Sequence, residues 1–347
     1  MKFNMNILKY LYKAYNAYKF KQFYKSYEDK DLFDFKSDSI KINIKAPINI
    51  ALVTMVKNES DIIEHFIRIN SLWASHLFVI DDGSIDGTLN ILEFLKEEGF
   101  NLTILTKKTI DYQQNLLMTN IVRKIGEKKL FDFIFPIDAD EIIFDPEGLK
   151  SELLDSKMDD VCVINWASIV PIDESSIREI NPFHGHFEKV ETESKICEKM
   201  IIPNNIAKKC LVHMGNHDVS SDYYKIKKIV LKTKLFHAPV RSKEQILSKL
   251  IIGSYKFRLK KNKSRGEGSH WTSMADKLRE RDFNMDNILL RSLSYNYAGI
   301  HKLPIENNLC SLDISIQKYP LKFTKAYDNN LVKILDSFIH DLVISKT

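Results

Sequence analysis

A chain of 347 residues, 44% of them hydrophobic, is long enough for one large domain or two modest ones and can supply a core for either. Lys and Arg outnumber Asp and Glu by 51 to 46, and a net charge of +5 is too mild an excess to point to nucleic acid. The four cysteines, Cys162, Cys197, Cys210 and Cys310, lie too far apart for a metal-ligand spacing or a dense disulfide framework, so a reducing cytoplasm is the expected compartment.

No apolar run reaches the roughly 18 residues that cross a bilayer, and the first residues lack the apolar core of a secretory signal. Residues 1–27 read instead as a basic, aromatic amphipathic helix, with Phe3, Ile7, Leu11, Tyr15 and Tyr18 at three- and four-residue spacing among lysines. Such a helix can lie on an anionic membrane surface, which would make the protein peripheral at the inner face, or pack on the main domain. Asp29 to Lys45 is polar and irregular and reads as a linker.

From residue 48 the pattern changes. Ile48 to Val56 is a nearly continuous apolar run, the mark of a buried parallel strand. Lys57 to Asp61 turns the chain, and Ser60 is placed to cap a helix carrying Ile62, Ile63, Phe66, Ile67 and Trp73. Leu77 to Ile80 is a second strand that runs into Asp81-Asp82-Gly83-Ser84-Ile85-Asp86-Gly87-Thr88; taken alone, this segment is also ordinary turn chemistry. A helix with Leu89, Leu92 and Leu95 follows, and Gly99 is its natural stop. Leu102 to Leu105 is a third strand, Gln113 to Ile125 a third helix, and Phe131 to Ile137 a fourth strand. Strand and helix in alternation predict a mainly parallel sheet covered on both faces, with ligands beyond the carboxyl ends of the strands. The polar clusters at 57–61, 81–88 and 138–141 all fall at such ends.

The fourth strand ends in Asp138-Ala139-Asp140-Glu141. In extended backbone Asp138 and Asp140 share a face. Two carboxylates about 6 Å apart at an effective dielectric of about 20 repel by roughly 3 kcal/mol. Protonation of one, a nearby Lys or Arg, or a divalent cation must offset this, and the cation fits best when a phosphate-bearing substrate shares its coordination shell.

Ala51 to Glu59, then Val79 to Thr88, then Ile137 to Glu141 resemble, in order and spacing, glycosyltransferase family 2 and its relatives of the GT-A fold. The resemblance is close over about residues 48–145. It implies a Rossmann-like α/β domain at 46–240 for nucleotide-sugar and acceptor, preceded by the helix and linker of 1–45 and followed by a mostly helical region at 241–347. It also implies transfer of a sugar from a nucleotide-diphosphate sugar to a glycan or lipid-linked glycan acceptor of the cell envelope or surface, with inversion and with Mn2+ or Mg2+. Thr54 and Glu59 would then line the base pocket, Asp82 would accept from the base or ribose, Asp138 would face ribose and metal, and Asp140 would bind the metal. Glu141 would hydrogen-bond nearby backbone.

Beyond Val161 to Trp166, another strand, residues 171–234 show no clear periodicity and match the variable acceptor half of such enzymes. His237, at the end of a strand in Leu235-Phe236-His237-Ala238-Pro239, is the expected third metal ligand, since relatives place a late histidine there; a buried, hydrogen-bonded histidine is the other reading. His217 and Asp218, in a dense polar cluster, are the candidates for the base that deprotonates the acceptor. The basic run Lys256 to Arg265, followed by Gly266 and Gly268, suggests either a solvated face or a loop that closes over the diphosphate with Lys263 or Arg265. Helices are expected at Glu244 to Tyr255, Met285 to Tyr297 and Leu331 to Val343. Two rivals remain: a nucleotidyltransferase on a related sheet, which the glycine-free segment Thr54 to Asp61 disfavours, and a non-catalytic scaffold protein.

Overall fold

The computed structural model describes residues 22, 25, 32–36, 40–170, 184–188, 198–260, 269–280, 309–313, 320–324 and 331–345. The expected helices at 1–27 and 285–297, and the glycine-bearing loop at 261–268, fall largely or wholly outside these residues.

Four parallel strands make the first half of the sheet: β1 (Ile50–Val56), β2 (His76–Asp81), β3 (Leu102–Thr106) and β4 (Phe133–Pro136), in the order β4-β1-β2-β3. Residues of β1, β2 and β4 are buried almost throughout because both faces are covered, whereas β3, at the edge, is only partly buried. Along β1, Ile50 and Leu52 enter one core and Ala51 and Val53 the other, the period of two that an extended chain imposes. The first core is closed by α1 (Ile63–Asn70) and α2 (Thr88–Glu97), the second by α3 (Gln114–Lys128). Phe33, Phe35 and Ile40, from the stretch read as a linker, are buried in the second core.

Ser60 does not cap α1: the helix begins two residues later, with Ile62 at its N-cap and no side-chain cap bond. The backbone N–H of Ser60 donates instead to Asp86 Oδ2 at 3.0 Å. Gly99 does end α2, at φ +95°, a conformation that favours glycine.

After β4, β5 (Glu141–Ile143) and α4 (Pro146–Asp155) lead into β6 (Asp160–Val170), β7 (His184–Glu188), β8 (Glu198–Pro203), the short helix α5 (Asn204–Ala207), the hairpin β9 (Leu211–Val212) with β10 (Val219–Ser220), and β11 (Lys227–His237). The sheet changes character here. β8 joins β4 antiparallel, β6 joins β8 antiparallel, and β7 and β12 (Leu309–Asp313) extend the order outward. β11 runs parallel to β6 and antiparallel to β5. The α/β architecture with helices on both faces is as expected; the first half is all parallel and the second half mixed, with β6–β11 its parallel pair among the described residues.

Of the C-terminal region the structure describes α6 (Lys243–Leu259), α7 (Ser269–Arg279) and α8 (Leu331–Ile344). Ser242 caps α6 by accepting from Gln245 N at 3.1 Å. Residues 322–324 are fastened to α1, where the buried Glu64 carboxylate accepts their three backbone N–H groups at 2.7–2.8 Å. Among the described residues no helix is long and apolar enough to cross a membrane.

Candidate active site

The loops after β1, β2 and β4 meet at one end of the parallel strands, and α6 lies across them. Between them is a cavity of about 290 Å³. The first two loops are stitched together by reciprocal bonds: Asn58 N donates to Ser84 Oγ at 2.9 Å, Ile85 N to Asn58 Oδ1 at 2.9 Å, and Glu59 N to Thr88 Oγ1 at 2.8 Å. Asp81 folds the second loop over itself by accepting from Gly83 N and Ser84 N, both at 3.1 Å.

Asp82, Asp138 and Asp140 all line this cavity, as do Glu59, His217 and His237. Thr54 does not. It is buried at 1% exposure within β1 and is not among the residues that line the cavity. Asp218 also stands apart from the cavity, half-exposed and paired with Lys228 at 2.7 Å. Thr54, placed at the base pocket by the resemblance, and Asp218, picked from its polar cluster, thus both lie off the cavity lining.

The charge problem posed by Asp138 and Asp140 is answered by lysines of this chain. Asp138 Oδ2 receives Lys199 Nζ at 2.6 Å, and its Oδ1 accepts from Gln114 Nε2 at 3.2 Å. Lys199 is fully buried, 3.1 Å from Glu141 Oε1, and lies over the Trp166 ring. Burial opposes its charge, yet Asp138 and Glu141 hold its pKa above the ordinary lysine value. Glu141 Oε2 accepts from Asp138 N at 2.9 Å, the backbone role expected of it, and burial pushes this carboxyl well above its usual range in spite of Lys199.

Asp140 Oδ2 receives Lys249 Nζ at 2.8 Å, and Oδ1 faces His237 Nε2 at 3.7 Å. Burial would raise the Asp140 carboxyl, but Lys249, His237 and Arg241 overcome it and hold it well below the carboxylate range. The approach of His237 follows from strand pairing: β5 and β11 put His237 opposite Glu141, and Ala238 N donates to Asp140 O at 2.8 Å. Trp166 stacks on His237 with centroids 4.2 Å apart. Burial draws the His237 imidazole below its ordinary pKa against the pull of Asp140.

Asp82 is also paired, with Lys256 Nζ on Oδ2 and with Thr109 N and Oγ1 at 2.7 and 2.8 Å on Oδ1. Lys57 Nζ donates to the Asp82 carbonyl at 2.8 Å; burial and the neighbouring Lys256 lower its pKa to about 8. Arg241, just before α6, binds Asp61 through Nε at 2.7 Å and also meets Glu59. Burial raises Glu59 to about 7 although Arg241 opposes the shift. Tyr112, Phe257 and Trp271 form an aromatic wall beside Asp82, the first two stacked at 4.3 Å.

Lys199, Lys249, Lys256 and Arg241, none of them in a motif, complete the site by pairing with its carboxylates. Lys256, expected at the head of a basic run, is buried at 3% exposure. A signal for α6 was present: Lys249 and Lys256 are seven apart with Ile252 and Gly253 between, one face of a helix.

Asp138, Asp140 and His237 have the donor chemistry of a Mn2+ or Mg2+ site, two hard carboxylates and an imidazole whose Nδ1 is buried and has no hydrogen-bond partner among the described residues. Among the described residues, however, no three such side chains stand close enough together to hold an ion. Lysine ammonium groups lie on both carboxylates.

No protein-family model matches the sequence, and no curated protein matches it either. Among solved structures, the chain is similar to a mannosyltransferase from Pyrobaculum calidifontis in complex with GDP-Man and Mn2+, at 12% identity over 76% of this chain and 79% of that one, TM-score 0.36. It is similar to glucosyl-3-phosphoglycerate synthase from Mycobacterium tuberculosis in complex with Mn2+, UDP and glucosyl-3-phosphoglycerate, at 16% identity over 47% of this chain and 59% of that one, TM-score 0.29. A third likeness is to residues 1–349 of S. aureus TarS, at 13% identity over 76% and 96%, TM-score 0.34. Scores this low leave the chemistry to this chain's own residues.

Proposed function

We propose that this protein is a metal-dependent, inverting glycosyltransferase that moves a sugar from a nucleotide-diphosphate sugar to a glycan or lipid-linked glycan acceptor of the cell envelope or surface. The observation that carries the reading is the cavity itself. At the C-terminal ends of neighbouring parallel strands, Asp82, Asp138 and Asp140 face Lys57, Lys249 and Lys256 beside an aromatic wall. Such a surface suits a ligand with a flat base, hydroxyls and a diphosphate.

In this reading the aromatic wall and Asp82 receive the nucleoside, with Glu59 at the rim. Lys57, Lys249 and Lys256 bind the diphosphate through charge-assisted hydrogen bonds. Asp140, with Asp138 or His237 beside it, would share a divalent ion with the phosphate oxygens, and that ion when bound supplies positive charge to the departing diphosphate. His217 is the proposed base. Its Nδ1 is 2.7 Å from the Glu198 carbonyl, which fixes the proton there and leaves Nε2 with a lone pair. Burial and Lys199 lower its pKa to about 4, so it is unprotonated at neutral pH and takes the acceptor's proton only as the new bond makes that hydroxyl acidic. Contact with a membrane through residues 1–27 and a cytoplasmic location belong to the same proposal.

The experiment is release of nucleoside diphosphate from a panel of UDP- and GDP-sugars with Mn2+ or Mg2+, using wild type, Asp138→Ala and Asp140→Ala. The proposal expects turnover of at least one donor and its near-complete loss in both variants. Equal turnover in the variants, or none with any donor, would favour a scaffold role.

A further inference from the structure

Of the carboxylates that line the cavity, the three aspartates are each met by a lysine: Asp138 by Lys199, Asp140 by Lys249 and Asp82 by Lys256. A divalent ion approaching Asp138 and Asp140 therefore meets carboxylates already neutralised and competes with an ammonium group for the same oxygens. The lysines differ in how deeply they are buried. Lys199 is fully buried, shared with Glu141 and covered by Trp166. Lys256 is almost as buried and is shared between Asp82 and Thr109. Lys249 is 18% exposed in its side chain and lines the open cavity, reaching Asp140 from the second turn of α6 through a flexible stem. Arg241 Nη1 also stands 3.7 Å from Asp140 Oδ2, but its Nε and Nη2 are held by Asp61 and Glu59, so the close contact on that oxygen is the one from Lys249 at 2.8 Å.

We propose that Lys249 is an internal cation that closes Asp140 to metal until a diphosphate enters. The inference rests on reading the cavity as a nucleotide-diphosphate site. A phosphate oxygen is a full replacement acceptor for the ammonium, so Lys249 can pass from Asp140 Oδ2 to the diphosphate without losing a charge partner. The freed carboxylate oxygen, together with phosphate oxygens, then meets the preference of Mg2+ and Mn2+ for one or two carboxylates plus substrate phosphate. Metal and nucleotide consequently bind as a pair, and Lys249 sets the order. A site that accepted metal alone would sequester it without substrate; this one does not.

The test is Mn2+ titration followed by the electron paramagnetic resonance signal of the free ion, on the full chain as wild type, Lys249→Met, Lys249→Gln and Lys249→Arg. Each is titrated alone and with UDP or GDP, with circular dichroism to establish that each variant is folded. Wild type alone is expected to bind Mn2+ at least tenfold more weakly than with its nucleotide. Lys249→Met and Lys249→Gln alone should bind Mn2+ at least tenfold more tightly than wild type alone, and Asp140→Ala in the Lys249→Met background should abolish that gain. Lys249→Arg, which keeps the charge, should behave as wild type. Unchanged nucleotide-free affinity in both neutral variants, or wild type that binds Mn2+ equally well with and without nucleotide, would overturn the proposal. Failure of the donor reading is separate: neither UDP nor GDP would bind at any Mn2+ concentration, while the nucleotide-free comparison of Lys249→Met with wild type would still decide the role of Lys249.

Discussion

Replacing Arg241 by Met tests how the first loop is joined to α6. The guanidinium is 3% exposed, contacts Asp61 at 2.7 and 3.1 Å and meets Glu59, while Asp140 stands 3.7 Å from Nη1. At about 2.7 Å and an effective dielectric of about 20, a single carboxylate attracts it by roughly 6 kcal/mol, most of which is offset by stripping water from both ions. Met is nearly as long and fills much of the volume, so the loss is electrostatic: Asp61, itself 9% exposed in its side chain, is left buried without its cation. Breaking such a pair from one side costs about 3–5 kcal/mol. The assay is urea unfolding followed by tryptophan fluorescence, comparing midpoint and slope with wild type. Arg241→Lys should recover less than half of the loss, because an ammonium cannot present the planar fork that spans Asp61 and Glu59. A loss below about 1 kcal/mol in Arg241→Met, the magnitude of a solvated surface pair, would refute the reasoning.

Two further outcomes follow from individual side chains. With its pKa lowered to about 8, Lys57 loses its charge as pH rises through that value, so affinity for nucleoside diphosphate should fall about tenfold between pH 7 and 9. Because the unfolded chain holds that proton up to about pH 10.4, the same group makes the protein gain stability as pH rises from about 8 toward 10.4. Lys57→Met should flatten both profiles, and a variant that kept the wild-type pH dependence would exclude Lys57 as the source. Gly253→Ala places a methyl 2.0 Å from the Trp271 ring, inside the α6–α7 contact, and should cost about 1–3 kcal/mol in the same unfolding assay; a neutral substitution would mean that the two helices separate readily.

The parallel half of the fold was legible because its strands are nearly continuous apolar runs, Ile50–Val56 above all, and the polar residues that follow them line the cavity. His237 was legible only through a resemblance. The contact that brings it to Asp140 is the antiparallel pairing of β5 with β11, a long-range register that a strand as short as Glu141–Ile143 does not announce. The lysines were hidden for a different reason. Lys199 sits in an apolar strand and Lys249 and Lys256 on a helix of low amphipathic contrast, where charge normally signals solvent. Only the carboxylates they neutralise explain their burial, and those partners are 174 residues away in the case of Lys256 and Asp82.

The central claim is that this cavity binds a nucleoside diphosphate with a metal at Asp140. Calorimetric titration with UDP and with GDP, each with and without Mn2+, on wild type and Asp140→Ala, tests it most directly. The account predicts binding of one nucleotide that Mn2+ strengthens and that Asp140→Ala removes. Binding of neither nucleotide under any metal condition, or binding that Asp140→Ala leaves intact, would contradict it.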